Sequence, residues 1–402
     1  MLTAYVVLMK GTPMQILILG AGYAGLRVIL ELNKRVATED MPVQVTLLDQ
    51  NPYHQIVQEL HLTATTRAEP SDTALPLADL LGRCATRLEQ GRVARIEPLA
   101  RQVHLEDGRS LGYDRLVIAL GAETNYGDIP GAWEHTLPLR SQAEALQLRE
   151  HLQAQFAAAA QTDDPAARQR LLTFAIVGGG YTGCQLAGEL AAWCATRASQ
   201  SGLPTNEVRI ALIERSDKLL RQFGAWAMQY AEYVLARRGI DLYRSTSVER
   251  VEAQTLFLSE NRVLHAGTIV WAGGIRAPGL LAASGFPTDR IGRVRVDRYL
   301  RVQDQALIFA AGDCASIPDP LRGTVPATAS FAMRQGEHLA RTLLAESMGQ
   351  APRRYQPLRL GEIVSLGPGD GIGNPLGVPT FGLPAATLKK GIEVWYRTTL
   401  GC

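Results

Sequence analysis

The residues best suited to chemistry fall into two sets of six: Gly20, Ala21, Gly22, Tyr23, Ala24 and Gly25, and about 160 residues on, Gly178, Gly179, Gly180, Tyr181, Thr182 and Gly183. Each set reads G-x-G-x-x-G, follows a short apolar run (15–19 and 173–177) and opens a helix-like segment (24–32 and 182–195). In that context the pattern holds a dinucleotide pyrophosphate. The first glycine makes a tight turn, the second lets backbone N–H groups approach the phosphates, and the third lets the helix pack closely, its positive N-terminus facing the anion. A lone copy is a weak signal, whereas two copies in the same strand–turn–helix setting predict two bound dinucleotides in one chain.

Both copies also have the acid that such a site uses. The next strand of the first unit, 44–48, runs into Asp49, and that of the second, 208–213, into Glu214. A carboxylate there accepts hydrogen bonds from ribose hydroxyls; the plainer alternative is a solvated acid at a strand end. Glu214 would also repel an adenosine 2′-phosphate, which favours NADH over NADPH, although Arg215 or Lys218 could turn to accept that phosphate.

The 402 residues, of which 46% are hydrophobic, suffice for two or three cores. A net charge of +2 with scattered Lys and Arg gives no basic stripe, which excludes a nucleic-acid partner. Cys84, Cys184, Cys194, Cys314 and Cys402 form no C-x-x-C and no metal-ligand spacing, so no metal site is expected and a reduced, intracellular setting fits. Residues 1–13 lack a basic region ahead of their apolar stretch and read as an over-extended start or a loose arm rather than a signal peptide. No apolar run is long enough to span a bilayer, so membrane contact is expected from one side only.

Further landmarks order the chain. An apolar strand, Leu116-Val117-Ile118-Ala119-Leu120, ends on Gly121; Ser141-Gln142-Ala143-Glu144 is a capping box that opens a helix to about residue 160. The second unit closes with 268–271 and the turn Ala272-Gly273-Gly274, and a strand near 307–311 then ends on Gly312-Asp313, ahead of a helix-like stretch, 327–344. Ligands of open α/β sheets bind at such carboxyl ends. The expected fold class is α/β, with two Rossmann-like dinucleotide-binding domains, one inserted in the other, and a C-terminal membrane- or dimer-associated segment. The boundaries are 14–123 and 291–352 for the interrupted domain, 124–290 for the inserted one and 353–402 for the tail.

In this order the landmarks, together with Tyr113-Asp114-x-Leu116-Val117-Ile118-Ala119, Gly188-Glu189-Leu190 and Ala311-Gly312-Asp313, resemble the two-dinucleotide-binding-domain flavoproteins over residues 14–345. Asn51-Pro52-Tyr53-His54, Val270-Trp271-Ala272-Gly273-Gly274 and Gly361-Glu362-Ile363-Val364-Ser365-Leu366-Gly367 are similar to type II NADH dehydrogenases (NADH:quinone oxidoreductases). The resemblance implies FAD on Gly20, Ala21, Gly22, Tyr23, Ala24, Gly25 and Asp49, with its flavin half near Ala119, Gly121, Gly312, Asp313 and Ala329. NADH as co-substrate would lie on the second fingerprint, Gly178 to Gly183, and on Glu214, with Gly273 and Gly274 making room for its nicotinamide half.

Two departures from the family pattern touch the reacting end. The family's T-G-V-E reads Thr182-Gly183-Cys184-Gln185 here, so an amide replaces a carboxylate. The family's quinone-site helix, A-Q-x-x-x-Q, reads Ala329-Ser330-Phe331-Ala332-Met333-Arg334; Gln335 is one position on, about 100° around the helix. The tail resembles the cyanobacterial and plastid branch, some members of which reduce naphthoquinones. In its last helix Ala385, Leu388, Ile392, Trp395 and Thr399 share a face, with Lys390, Glu393 and Arg397 opposite. A face like this suits an interfacial helix lying on a membrane over 383–400, and equally one packed on its own domain or on a second subunit.

The expected activity is hydride transfer from NADH to FAD and two-electron reduction of a membrane quinone without proton pumping, on the cytoplasmic side of the cell membrane. Gln185, Ser330, Arg334 and Gln335, with Thr328, are the candidate groups at the quinone. Competing readings are a reductase for a protein electron carrier and an NADH-binding redox sensor of poor turnover; the altered positions 185, 330 and 334 motivate the sensor. A sulfide:quinone reductase would need redox cysteines at the flavin, for which Cys314 is the nearest candidate in sequence.

Overall fold

The computed structural model describes residues 13–39, 43–321 and 323–401; the first twelve residues, on which the reading of the terminal arm falls, lie outside them. The chain begins with β1 (Met14–Leu19), α1 (Tyr23–Glu39), β2 (Val43–Asp49), β3 (Thr86–Gln90) and β4 (Arg115–Ile118). It continues with β5 (Leu137–Pro138), α2 (Gln142–Gln161), β6 (Thr173–Val177), α3 (Tyr181–Gln200), β7 (Arg209–Ile213), β8 (Ile240–Tyr243) and β9 (Thr268–Trp271). It then returns through β10 (Ile308–Ala310) and α4 (Ala329–Ser347), and ends in β11 (Ile363–Ser365), β12 (Gly371–Gly373), β13 (Thr380–Phe381) and α5 (Gly382–Thr398).

Two five-stranded sheets result, ordered β10-β4-β1-β2-β3 and β5-β9-β6-β7-β8, and every pairing within them is parallel. Sheets of this kind are covered on both faces, so their strands must be apolar throughout. The central strands comply: Ile16 to Leu19 and Thr173 to Val177 are all buried. Each fingerprint strand sits in the middle of its sheet, between the strand that brings the ribose acid and a strand that arrives later in the chain. Each sheet also carries a three-stranded antiparallel excursion just before the later strand that flanks its fingerprint strand, Val93–Glu97 with its partners and Val248–Glu252 with its partners, a second sign of internal repetition.

The helices are placed by close contacts and caps. Around Ser141 the capping box forms: the Ser141 hydroxyl accepts from Glu144 N at 3.2 Å, and Glu144 Oε2 accepts from Ser141 N at 2.9 Å. Helix α4 begins two residues later than the pattern predicts, because Thr328 is extended (φ −138°, ψ 152°), and it runs to Ser347, where Gly349 (φ +68°) reverses the chain. A Cβ at Gly336 would lie 2.5 Å from Ala24 O, so only glycine lets α4 cross α1 this closely. The tail crosses α3 the same way: a Cβ at Gly188 would lie 2.2 Å from Leu366 O. That crossing sets β11 along the first two turns of α3.

Candidate dinucleotide and electron-acceptor site

In both fingerprint loops the protein itself requires the outer glycines and leaves the middle one open. Gly20 (φ +100°) donates to Leu48 O at 2.8 Å, and a Cβ there would lie 2.3 Å from Ala119 O; a Cβ at Gly25 would lie 1.9 Å from Gly20 O. Gly178 (φ +110°) donates to Ile213 O at 2.7 Å, with Ala272 O 2.3 Å from its absent Cβ, and Gly183 would clash with Gly178 O at 1.8 Å. Nothing lies within 4 Å of a Cβ built on Gly22 or Gly180. The open space above both helix N-termini is a cradle that fits a pyrophosphate.

The two acids are tied to these loops in the same way. Asp49 Oδ2 accepts from Ala21 N at 2.6 Å and Oδ1 from Asn51 N at 2.7 Å; burial raises its pKa, with the N–H bonds pulling the other way. Glu214 Oε2 accepts from Gly179 N at 2.7 Å and Oε1 from Ser216 N at 2.8 Å. Beside Glu214 a cavity of about 530 Å³ is lined by Asp217, Lys218, Glu232 and Arg244. Arg244 is already paired with Glu232 at 2.9 Å, which leaves Lys218 as the cation there for a further phosphate.

At the carboxyl end of β10, Gly312 and Asp313 meet three other elements. Ala311 N donates to Ile118 O at 3.0 Å, Gly312 N donates to Gln335 Oε1 at 2.7 Å, and the Asp313 carboxylate pairs with Arg140. Gln335 is 2% exposed, so its carboxamide oxygen braces the Gly312 turn. Arg140 sits just ahead of α2, and no local signal in the sequence marks it, because its partner is 173 residues away.

The remaining candidates cluster at two places. At the start of α4, Arg334 donates to Ser330 Oγ at 2.8 Å and lies over the Phe331 ring at 5.4 Å, with Thr328 Oγ1 and Arg334 Nε buried and unpartnered. Ala329 is the first residue of that helix. On α3, Gln185 is buried and its Nε2 has no partner; one turn earlier the Tyr181 hydroxyl donates to the Glu362 carboxylate. Gly121 (φ +69°) and Gly274 (φ +142°) likewise have nothing within 4 Å of a built Cβ, and Gly273 lies against the Trp271 indole.

His54 joins the first cradle to the tail. Its Nδ1 lies 2.7 Å from Ala21 O and its Nε2 2.8 Å from the Tyr396 hydroxyl. A carbonyl only accepts, so Nδ1 carries the proton and Nε2 accepts from Tyr396. Burial holds this ring neutral, with its pKa lowered to about 4.

Around Tyr396 the inward face of α5 is polar. Lys389 pairs with Glu393, Arg397 with Glu59 at 2.7 Å, and only Ala385 and Tyr396 of the helix are fully buried. Leu388, Ile392 and Trp395 point outward, 41%, 44% and 57% exposed. The expectation that Ala385 and Thr399 share a surface with them is corrected: Ala385 is buried against the protein, and Thr399 accepts from Arg27 at 2.7 Å.

Among the described residues the free thiols offer no redox pair at this site. Cys184, Cys194 and Cys314 are buried and unpaired, and burial raises all three pKa values, Cys314 to about 12, so none is a poised thiolate. Among the described residues no group of His, Cys, Asp and Glu could hold a metal ion, and no helix is long and apolar enough to cross a membrane.

A family model for pyridine nucleotide-disulphide oxidoreductases matches residues 14–336. The type II NADH:quinone oxidoreductase of Staphylococcus aureus (strain NCTC 8325 / PS 47) is 30% identical over 386 residues, which cover 94% of each chain. The chain belongs to the type II NADH:quinone oxidoreductase family. Among solved structures, NDH2 from Plasmodium falciparum in complex with NADH superimposes with a TM-score of 0.86 at 17% identity, covering 97% of this chain and 95% of that one. The sulfide:quinone oxidoreductase of Aquifex aeolicus gives 0.78 at 20% identity, covering 96% and 91%. Likenesses this remote establish a shared fold, and a type II oxidoreductase is not separated from a sulfide:quinone one by it; the buried thiols and the closer sequence relatives make that separation.

Proposed function

We propose that this chain is an FAD-dependent NADH:quinone oxidoreductase that does not pump protons. The observation that carries the reading is the pair of open glycine cradles, each with its ribose acid oriented by the loop, in a chain of this family. Gly20, Gly22, Gly25 and Asp49 would hold FAD, with Gly121, Gly312, Asp313 and Ala329 at its flavin end; Gly178, Gly180, Gly183 and Glu214 would hold NADH. When bound, FAD would supply the two-electron chemistry that links NADH to a quinone. The protein would orient the two rings: Arg140 fixes Asp313, Gln335 fixes Gly312, and Gly273 and Gly274 leave room for the nicotinamide half of NADH.

The acceptor is a naphthoquinone reached from the membrane. Thr328, Ser330 and Arg334 offer hydrogen-bond donors there, and Gln185 offers a buried amide without a partner. The outward Leu388, Ile392 and Trp395 of α5 lay the tail on the cytoplasmic surface of the bilayer. Anaerobic addition of one equivalent of NADH to the yellow protein, followed by a short-chain naphthoquinone, tests the reading. Flavin absorbance should bleach and then return within about a second, as typical turnover numbers require. Bleaching that persists for minutes overturns the quinone assignment in favour of a protein acceptor or a sensing role.

A further inference from the structure

Reduction of a quinone by NADH consumes a proton: NADH + H⁺ + quinone gives NAD⁺ and quinol. The hydride brings one hydrogen, so a second must reach a quinol oxygen from the protein or from water. On α3 the side chain that the family pattern puts at the reacting end, Gln185, carries no ionisable proton.

A carboxyl group stands one turn away, contributed by a different element. Glu362 lies at the head of β11, which the backbone contact between Gly188 and Leu366 holds along α3. Its carboxylate accepts from the Tyr181 hydroxyl, and its backbone is pinned on both sides: Glu362 N donates to Asn374 Oδ1 at 3.1 Å, and Asn374 N donates to Glu362 O at 2.9 Å. Tyr181 itself is wedged edge-on against Phe223, ring centroids 5.8 Å apart. Tyr181 and Gln185 are four residues apart and share a face of α3, so the Tyr181–Glu362 pair and the orphaned Gln185 amide are neighbours along that face. Charged groups on the neighbouring elements are paired elsewhere: Glu189 with Arg67 at 3.1 Å, Asp370 with Tyr230 at 2.9 Å, Arg238 with Pro368 O at 3.0 Å, and Lys389 of α5 with Glu393. Among the described residues Glu362 has no ion-pair partner, and burial raises its pKa. It is half-buried, so water can reprotonate it. The sheet that carries it, β11-β12-β13, also carries α5, whose uncovered apolar face is the proposed route of the quinone.

We propose that Glu362, held by the Tyr181 hydroxyl, is the proton donor to the quinone in this chain. As two electrons reach the quinone, the Glu362 carboxyl O–H bond breaks and a quinol O–H bond forms; the carboxylate left behind takes a proton from solvent. The inference rests on the NADH:quinone reading, and Gln185 is left to hold a quinone carbonyl through its free N–H.

The test separates the two half-reactions in the FAD-loaded protein by stopped flow. In E362Q, bleaching by NADH should match the wild type while recovery with a short-chain naphthoquinone slows about a hundredfold, the usual scale of a general acid. Wild-type recovery should slow as pH rises through the raised pKa of the carboxyl. That limb should vanish in E362Q, return in E362D, and Y181F should move it without adding to the effect of E362Q. Unchanged recovery and an unchanged pH profile in E362Q overturn the proposal, as does equal slowing of both half-reactions, which marks a purely structural role. A wild-type flavin that the quinone does not reoxidise overturns the quinone reading and this inference together; a brisk wild type with an unaltered E362Q overturns this inference alone.

Discussion

Gly22 and Gly180 are the residues of the two loops that the protein's own packing does not require, since a methyl group on either would meet nothing within 4 Å. Gly183 is the opposite case, its Cβ position 1.8 Å from Gly178 O. Replacing each with alanine therefore separates binding from folding. Gly180→Ala should leave the thermal midpoint in place and weaken NADH about tenfold or more, about 1.4 kcal/mol of binding. Gly183→Ala should lower the midpoint as well, because the helix must back away from the strand. Calorimetry and an NADH titration of both variants check this; equal loss of stability in both would mean that the open cradle is not where the nucleotide lies. The same spacing rule made both loops legible in the sequence. Arg140 was not legible, because nothing near it in the chain announces the Asp313 carboxylate it meets.

Among the elements, α5 is held by polar contacts where an apolar seam is usual, and His54 is the most buried of them. Its folded pKa of about 4 lies below the ordinary value of 6.5. Above pH 6.5 the ring is neutral in both folded and unfolded chains and no stability is lost. As pH falls from 6.5 toward 4, the unfolded chain takes up a proton that the folded one refuses, so stability is lost across that window, up to about 3 kcal/mol for this residue. His338, also lowered to about 4 by burial and the Arg341 cation, adds to the slope. His54→Asn keeps an N–H for Ala21 O and should flatten part of the acid dependence; an identical slope of thermal midpoint against pH would show that His54 is not protonated on unfolding. The period of α5 was readable in the sequence, but which side of it faces the protein was not. A helical repeat fixes which residues align, whereas the partners Glu59, His54 and Arg27, all more than 300 residues earlier in the chain, decide which stripe is covered.

Taken whole, the molecule presents the uncovered stripe of Leu388, Ile392 and Trp395 beside the tail sheet that carries Glu362, so the surface that would meet lipid and the space that would meet quinone belong to one small unit. Introducing Leu388→Asp and Trp395→Asp together should abolish co-sedimentation with anionic vesicles while leaving turnover of a water-soluble naphthoquinone within about twofold, since exposed positions away from buried features cost little stability. Vesicle binding that survives both changes would place the membrane contact elsewhere. Loss of a dimer with lipid binding intact would assign the stripe to a second subunit.

The sequence by itself determined the two strand–glycine–helix units, their order and the α/β architecture, because these depend on contacts between residues close in the chain: a glycine turn, an apolar strand, a capping box. The family resemblance drawn from those motifs agrees with the relatives found. Tertiary structure decided the rest. It put Arg140 on Asp313 and brought Glu362 to Tyr181, 181 residues apart, and it turned the side of α5 that carries Lys389, Glu393 and Arg397 inward. Such pairings arise only when the sheets close and bring distant loops together, and desolvation on closing then sets which carboxyl groups and imidazoles keep their protons.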